Sequence, residues 1–103
     1  MIAPLISIIS VNYNQPEHTQ EFLTSVYASG YDNIEIILVD NGSKKPLNKS
    51  LEKECSNLKC IISQKNLGFA GGNNLGMEAA NGEYIFLLNN DTIVEKGFFS
   101  TMV

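Results

Sequence analysis

The sequence predicts an α/β fold, a Rossmann-like parallel sheet in the order 3-2-1-4 with flanking helices. Three observations carry this. Four short runs rich in β-branched and apolar residues stand at 5–11, 34–39, 58–62 and 83–88. Segments with helical spacing separate them, which is the pattern of βαβ units on a parallel sheet. Each run ends in a polar cluster, as strands do where they leave a buried sheet. Crossovers between parallel strands are right-handed, which leaves few arrangements, and 3-2-1-4 is the natural one.

The first run, 5–11, is apolar enough to be covered on both faces. After it, Asn14 is suited to cap a helix and Pro16 to occupy its first turn, where a missing N–H costs nothing. Phe22, Leu23, Val26 and Tyr27 recur at helical spacing as a buried stripe, and Gly30 ends the helix. The second strand, 34–39, closes on the turn Asp40-Asn41-Gly42-Ser43. A short polar helix spans 47–55 with Leu47 and Leu51 on one face, and the third strand is 58–62. A loop over 64–70 leads to a helix over about 71–81 with Gly82 as its cap. The fourth strand, 83–88, runs into Asn89-Asn90-Asp91, and a last helix begins near Lys96.

With 103 residues, 44% hydrophobic and 17% charged, residues 1–103 form one domain with one core. Seven basic against eleven acidic residues give a net charge of −4, which sets nucleic acid and anionic membrane aside as partners. The longest apolar run, 34–39, is too short to span a bilayer, and the N-terminal Met-Ile-Ala-Pro has no basic stretch of a secretory signal. Cys55 and Cys60 fit neither a redox nor a zinc spacing and read as reduced thiols. His18, in a first helical turn, reads as a solvated surface residue.

Parallel geometry gathers the clusters after the strands on one rim: Asn12-Tyr13-Asn14, Asp40-Asn41, Gln64-Lys65-Asn66 and Asn89-Asn90-Asp91. The opposite ends, Asp32-Asn33, Ser56-Asn57 and Gly82-Glu83, read as plain connections. Neither G-x-G-x-x-G after the first strand nor G-x-x-x-x-G-K-[ST] is present, which disfavours dinucleotide-binding and P-loop readings. Gly68, Gly71, Gly72 and Gly76 cluster after the third strand, either to aim helix N–H groups at a diphosphate or to let backbones pack closely. Asp91, at the rim of a buried strand, is either a ligand for the hard cation that accompanies a diphosphate or part of a turn. Asp40 either accepts from a base or ribose or shapes its turn, and Tyr13 either lies against a base or fills space above the sheet.

Taken together these segments resemble the family 2 glycosyltransferases of GT-A fold, over nearly the whole chain. Val11-Asn12-Tyr13-Asn14 is similar to the first-strand motif (P/V)-(T/N)-Y-N, and Val39-Asp40-Asn41-Gly42-Ser43 to V-D-(D/N)-G-S. Residues 66–74 resemble the N-x-G-x-x-x-x-x-N loop in its rhamnosyltransferase-like form, and Asn89-Asn90-Asp91 stands in the place of D-x-D. The resemblance implies a nucleotide site of Asn12, Tyr13, Asn14, Asp40, Asn66 and Asn90, with Tyr13 stacked on the base, Asp40 bonded to it and Asn90 at the ribose-diphosphate end. It implies Mg²⁺ or Mn²⁺ at Asp91, a nucleoside diphosphate sugar as donor, and inverting transfer to an acceptor hydroxyl in cell-surface polysaccharide synthesis. Two departures stand out: Asn89 replaces the first Asp of D-x-D, and Asn73 stands where many members carry Arg.

In the family, the base that takes the acceptor's proton is an Asp well downstream, on the part that binds the acceptor saccharide. The expectation is therefore the donor-binding half of a GT-A domain, truncated at its C-terminal side, with no catalytic base within it and no transfer activity alone. Two other readings accompany this one: a nucleotide-binding module without chemistry, and a half-domain that self-associates through an exposed sheet edge. The expected location is the cytoplasm, at the inner membrane face where parts outside these residues hold it there.

Overall fold

The computed structural model describes residues 3–103. Four strands, β1 (Ile6–Asn12), β2 (Ile34–Asn41), β3 (Leu58–Ser63) and β4 (Tyr84–Leu87), form one sheet in the order β3-β2-β1-β4. Every neighbouring pair is parallel, with Ile8 opposite Ile36 and Phe86, and Leu38 opposite Cys60. The helices are α1 (Pro16–Ala28), a single turn α2 (Leu51–Glu54), α3 (Gly68–Glu78) and α4 (Phe98–Met102).

The period of two along each strand sorts its side chains between two unequal layers. Ile6, Ile8, Ile36 and Leu38 face Phe22, Leu23 and Val26 of α1, together with Val94 and Phe99, in the larger cluster. Phe86, Phe98 and Phe99 meet there edge to face, with ring centroids 5.1 to 6.2 Å apart. On the other face a smaller apolar cluster of Ile9, Ile37 and Val39 is buried beneath α3. That helix rides close to the sheet because Gly76 has no side chain: a Cβ there would lie 2.5 Å from Ile9 Cγ2. It covers β1 and β2 but leaves Ile85 and Leu87 of the edge strand β4 about half exposed.

Several local expectations shift. Asn14 does not cap α1. It takes φ +56° and its Oδ1 accepts from the Lys44 N–H at 2.9 Å, while Gln15 stands at the cap position and Pro16 opens the helix. Tyr27 lies outside the buried stripe, and its place is taken by Thr19. The Tyr27 hydroxyl donates to the Ser56 carbonyl at 2.7 Å, and burial with the Cys55 thiol beside it pushes its pKa up to about 12. Both cysteines are free, and burial together with Glu52 raises Cys60 to about 11, so it is a thiol at neutral pH. The helix expected over 47–55 shrinks to one turn. The helix after β3 starts three residues earlier than expected, since Asn41 Oδ1 takes the Leu67 N–H at 2.9 Å and Asn66 Oδ1 the Gly68 N–H at 2.8 Å. Gly82 is not the cap of that helix; its N–H donates to Ser7 Oγ at 2.8 Å.

Candidate functional site

Order in the sheet reverses between β1 and β4, and at that point the loops leaving the two strands splay apart. A cleft of about 300 Å³ opens there, lined by Tyr13, Asn66, Phe69, Asn89, Asn90 and Asp91 among others. Two larger hollows lie elsewhere, an apolar one beneath residues 92–102 and one between α1 and residues 44–51. Convergent polar groups rather than volume mark a ligand site, and these converge in the smaller cleft.

The floor of the cleft is a closed set of buried hydrogen bonds. Asn12 and Asp40 are opposite one another in the last rung shared by β1 and β2, and Asn12 Nδ2 donates to Asp40 Oδ1 at 2.9 Å. Asp40 Oδ1 also accepts from Ser43 Oγ at 2.9 Å and the Leu47 N–H at 3.4 Å, and Oδ2 accepts from the Ser43 N–H at 3.3 Å. Four donors thus engage this one carboxylate. On the other side, Asn12 Oδ1 accepts from Thr19 Oγ1 at 2.9 Å and from Asn90 Nδ2 at 3.3 Å, and Asn90 Nδ2 also reaches Thr19 Oγ1 at 3.1 Å. Ser10 Oγ is the one buried side-chain polar atom among the described residues that lacks a partner.

The residues expected at the site thus divide by depth. Tyr13 is 47% exposed, and Asn66 and Asp91 are exposed beside it in the cleft. Asn12 and Asp40 are 1% and 0% exposed and lie beneath. Asp40, expected to bond a base directly, faces inward with its oxygens engaged by groups of this chain. Asn90 spans both levels: it is 7% exposed, touches the cleft, and directs its amide down to Asn12 and Thr19. Asn14 lines the neighbouring groove beside Lys44 instead. Asn73 is buried within α3, its amide donating to the Phe69 carbonyl at 3.2 Å.

Two residues of this site escaped the sequence reading. Thr19 had a signal, since it stands three, four and seven residues before Phe22, Leu23 and Val26, on the buried stripe of α1. Phe69 is 66% exposed on a polar cleft, an unusual place for a large apolar ring. Its position after Gly68, which adopts φ +79°, sets it at the first turn of α3.

Among the described residues no cluster of three His, Cys, Asp or Glu side chains could hold a metal by itself. The cleft carries one carboxylate, that of Asp91, with the side-chain amide oxygens of Gln15, Asn89 and Asn90 beside it as further hard-oxygen donors. Such a set fits a cation that takes most of its ligands from phosphate and water, as Mg²⁺ does with one or two carboxylates.

Comparison with known proteins places the chain in a family. Residues 7–103 match the family described as Glycosyl transferase family 2. An uncharacterized glycosyltransferase of Haemophilus influenzae is 35% identical over 98 residues, covering 91% of this chain and 39% of that protein. S. aureus TarS, in its 1–349 crystal form, superposes with a TM-score of 0.80 at 23% identity over 94% of this chain and 30% of that one, and is also known in complex with UDP. Mannosyltransferase PcManGT from Pyrobaculum calidifontis, in complex with GDP-Man and Mn²⁺, superposes with a TM-score of 0.73 at 19% identity, covering 88% of this chain and 28% of that one. The chain therefore spans about a third of the length of the proteins it matches, and the two solved structures share its fold.

Proposed function

This chain belongs to glycosyl transferase family 2, and we propose that it is the donor-binding part of an inverting enzyme that uses a nucleoside diphosphate sugar. The observation that carries the proposal is the cleft at the sheet's reversal point, where an exposed aromatic ring and an exposed carboxylate share one polar hollow. Tyr13 lies against the nucleobase there, and Phe69 across the cleft offers a second apolar surface. Asn66 and Asn89 present amide groups to ribose and phosphate oxygens. Asp91 shares a divalent cation, Mg²⁺ or Mn²⁺, with the diphosphate, and when bound that ion offsets charge on the departing nucleotide. Asn12, Asp40 and Asn90 hold the loops beneath this surface.

That TarS is known in complex with UDP, and PcManGT with GDP-Man and Mn²⁺, supports a nucleotide and a divalent ion as ligands. The acceptor is a saccharide hydroxyl whose proton a base must remove. Asp91 is the one carboxylate lining the cleft among the described residues, and with the metal on it none remains there for that task. The acceptor and the base therefore belong to other parts of a longer enzyme, and the purified chain is expected to bind donor without transferring sugar. The form of the loop at residues 66–74 favours a deoxysugar and cell-surface polysaccharide as product. No helix among the described residues is long and apolar enough to cross a membrane, in keeping with work in the cytoplasm or at the inner membrane face.

Titration of the labelled chain with UDP and GDP, followed by NMR, tests the assignment. The expected outcome is that shifts concentrate at Tyr13, Phe69 and residues 89–91. Shifts concentrated instead around Lys44 and Leu47, or none with either nucleotide, would overturn it. The half-exposed Ile85 and Leu87 on an edge strand favour a second reading, pairing with another copy through β4. Sedimentation that finds a monomer at high concentration rejects that reading.

A further inference from the structure

We infer that Thr19 is a positioning residue of the donor site, holding the Asp91 turn at the working geometry from inside helix α1. The inference rests on the donor-binding reading above and adds a residue that touches no ligand. Thr19 is 1% exposed and shares the space between α1 and the sheet with Asn12 and Asn90. Its hydroxyl makes two bonds of different sense, donating to Asn12 Oδ1 at 2.9 Å and accepting from Asn90 Nδ2 at 3.1 Å. A hydroxyl is the small side-chain group that can do both, and valine of the same shape can do neither.

The consequence reaches the cleft through a short covalent path. Asn90 sits within the turn closed by the Thr92 N–H on the Asn89 carbonyl at 3.0 Å, and Asp91 is the exposed residue that follows it in that turn. The Asn90 amide is the only side chain of residues 89–91 that the turn sends into the protein; Asn89 and Asp91 are exposed. Asn12, the other partner of Thr19, immediately precedes Tyr13 and is fixed to Asp40. Removing the hydroxyl leaves Asn90 with one bond, at 3.3 Å, and frees the turn to shift. The loss falls on Asp91 more than on Tyr13, because Asn12 keeps its place in the β1 ladder and its bond to Asp40.

The test measures UDP binding by calorimetry with and without Mn²⁺ in the wild-type chain and in Thr19→Val and Thr19→Ser, with thermal unfolding as the check on folding. Thr19→Val is expected to lose about tenfold of the Mn²⁺-dependent gain in affinity, while metal-free UDP affinity changes by less than about twofold. Thr19→Ser, which keeps the hydroxyl, is expected to restore the gain. Should Thr19→Val fail to fold, Thr19→Ala takes its place, and the Asn90 side-chain amide protons are expected to exchange slowly in the wild type and freely in the variant. Wild-type binding with an undiminished Mn²⁺ gain in the variant, or with slow Asn90 exchange in Thr19→Ala, overturns this inference alone. A wild-type chain that binds UDP with no gain from Mn²⁺ also overturns it. A wild-type chain that binds no UDP at all overturns the donor-binding reading and this inference with it.

Discussion

The two rims of the sheet are built from similar residues and end in opposite ways. At the amino rim, Glu35 Oε2 accepts from Ser7 Oγ and the Asn81 N–H, both at 2.5 Å, and Ser7 Oγ accepts from the Gly82 N–H at 2.8 Å. These contacts close on one another and tie the turn before β4 to β1 and β2. At the carboxyl rim the Asn12, Asp40, Thr19 and Asn90 set closes just as fully, yet it leaves Tyr13, Phe69, Asn89 and Asp91 standing outside it around a cleft. Polar residues alone therefore do not distinguish a working rim from a structural one. What distinguishes them is a second, exposed layer resting on a buried polar floor, since a site must be held still by groups other than those that touch the ligand.

The largest expected effect is at Asp40. Asp40→Ala removes the acceptor of four hydrogen bonds and is expected to lower stability by about 3 kcal/mol, read from urea unfolding. The equivalent change at the amino rim is steric. A Cβ on Gly82 would lie 2.6 Å from the Ser7 N and Oγ, so Gly82→Ala is expected to cost about 2 kcal/mol while leaving UDP affinity of the folded protein unchanged. Tyr13→Ala sharpens the contrast from the other side. It is expected to change stability by less than about 0.5 kcal/mol, as for an exposed residue, yet to weaken UDP binding about tenfold.

The smallest expected effect is on pH dependence. Burial opposes the charge on Glu35, but the Ser7 hydroxyl, the Asn81 amides and Lys59 outweigh it and hold the carboxyl below its usual range. A carboxylate with a depressed pKa in the folded state stabilises above its unfolded pKa, and that contribution is lost as pH falls through the folded value. Glu35→Gln should therefore lower stability slightly near neutral pH, make no difference well below the folded pKa, and so flatten the acid limb of the stability profile. An unchanged acid limb in the variant would show that the amino rim owes nothing to this charge.

Strand order was legible in the sequence because β-branched runs and handed crossovers leave little freedom. So was the rim, since every polar cluster there follows a strand. Depth within the rim was not legible. Asn12 and Asp40 read as the first residues of turns, but each strand continues through them, and their places in the last rung point them inward at one another. Asn14 looked like a cap until its backbone entered the left-handed region and turned its amide to Lys44. Thr19 carried the apolar stripe's spacing, but its type hid it, because threonine in a helix reads as a neutral surface choice. Such errors share a cause: periodicity reports which face a residue takes, while hydrogen bonds between residues 28 to 78 positions apart decide what it does there.

The central claim, that the carboxyl rim is a donor site with Asp91 at its metal end, meets its most direct test in calorimetric titration of UDP into the wild-type chain and Asp91→Asn, with and without Mn²⁺. Mn²⁺ is expected to tighten wild-type binding about tenfold or more, and Asp91→Asn to abolish that gain without moving the unfolding midpoint. Equal affinity with and without Mn²⁺ in the wild type, or a full gain retained by Asp91→Asn, would contradict it.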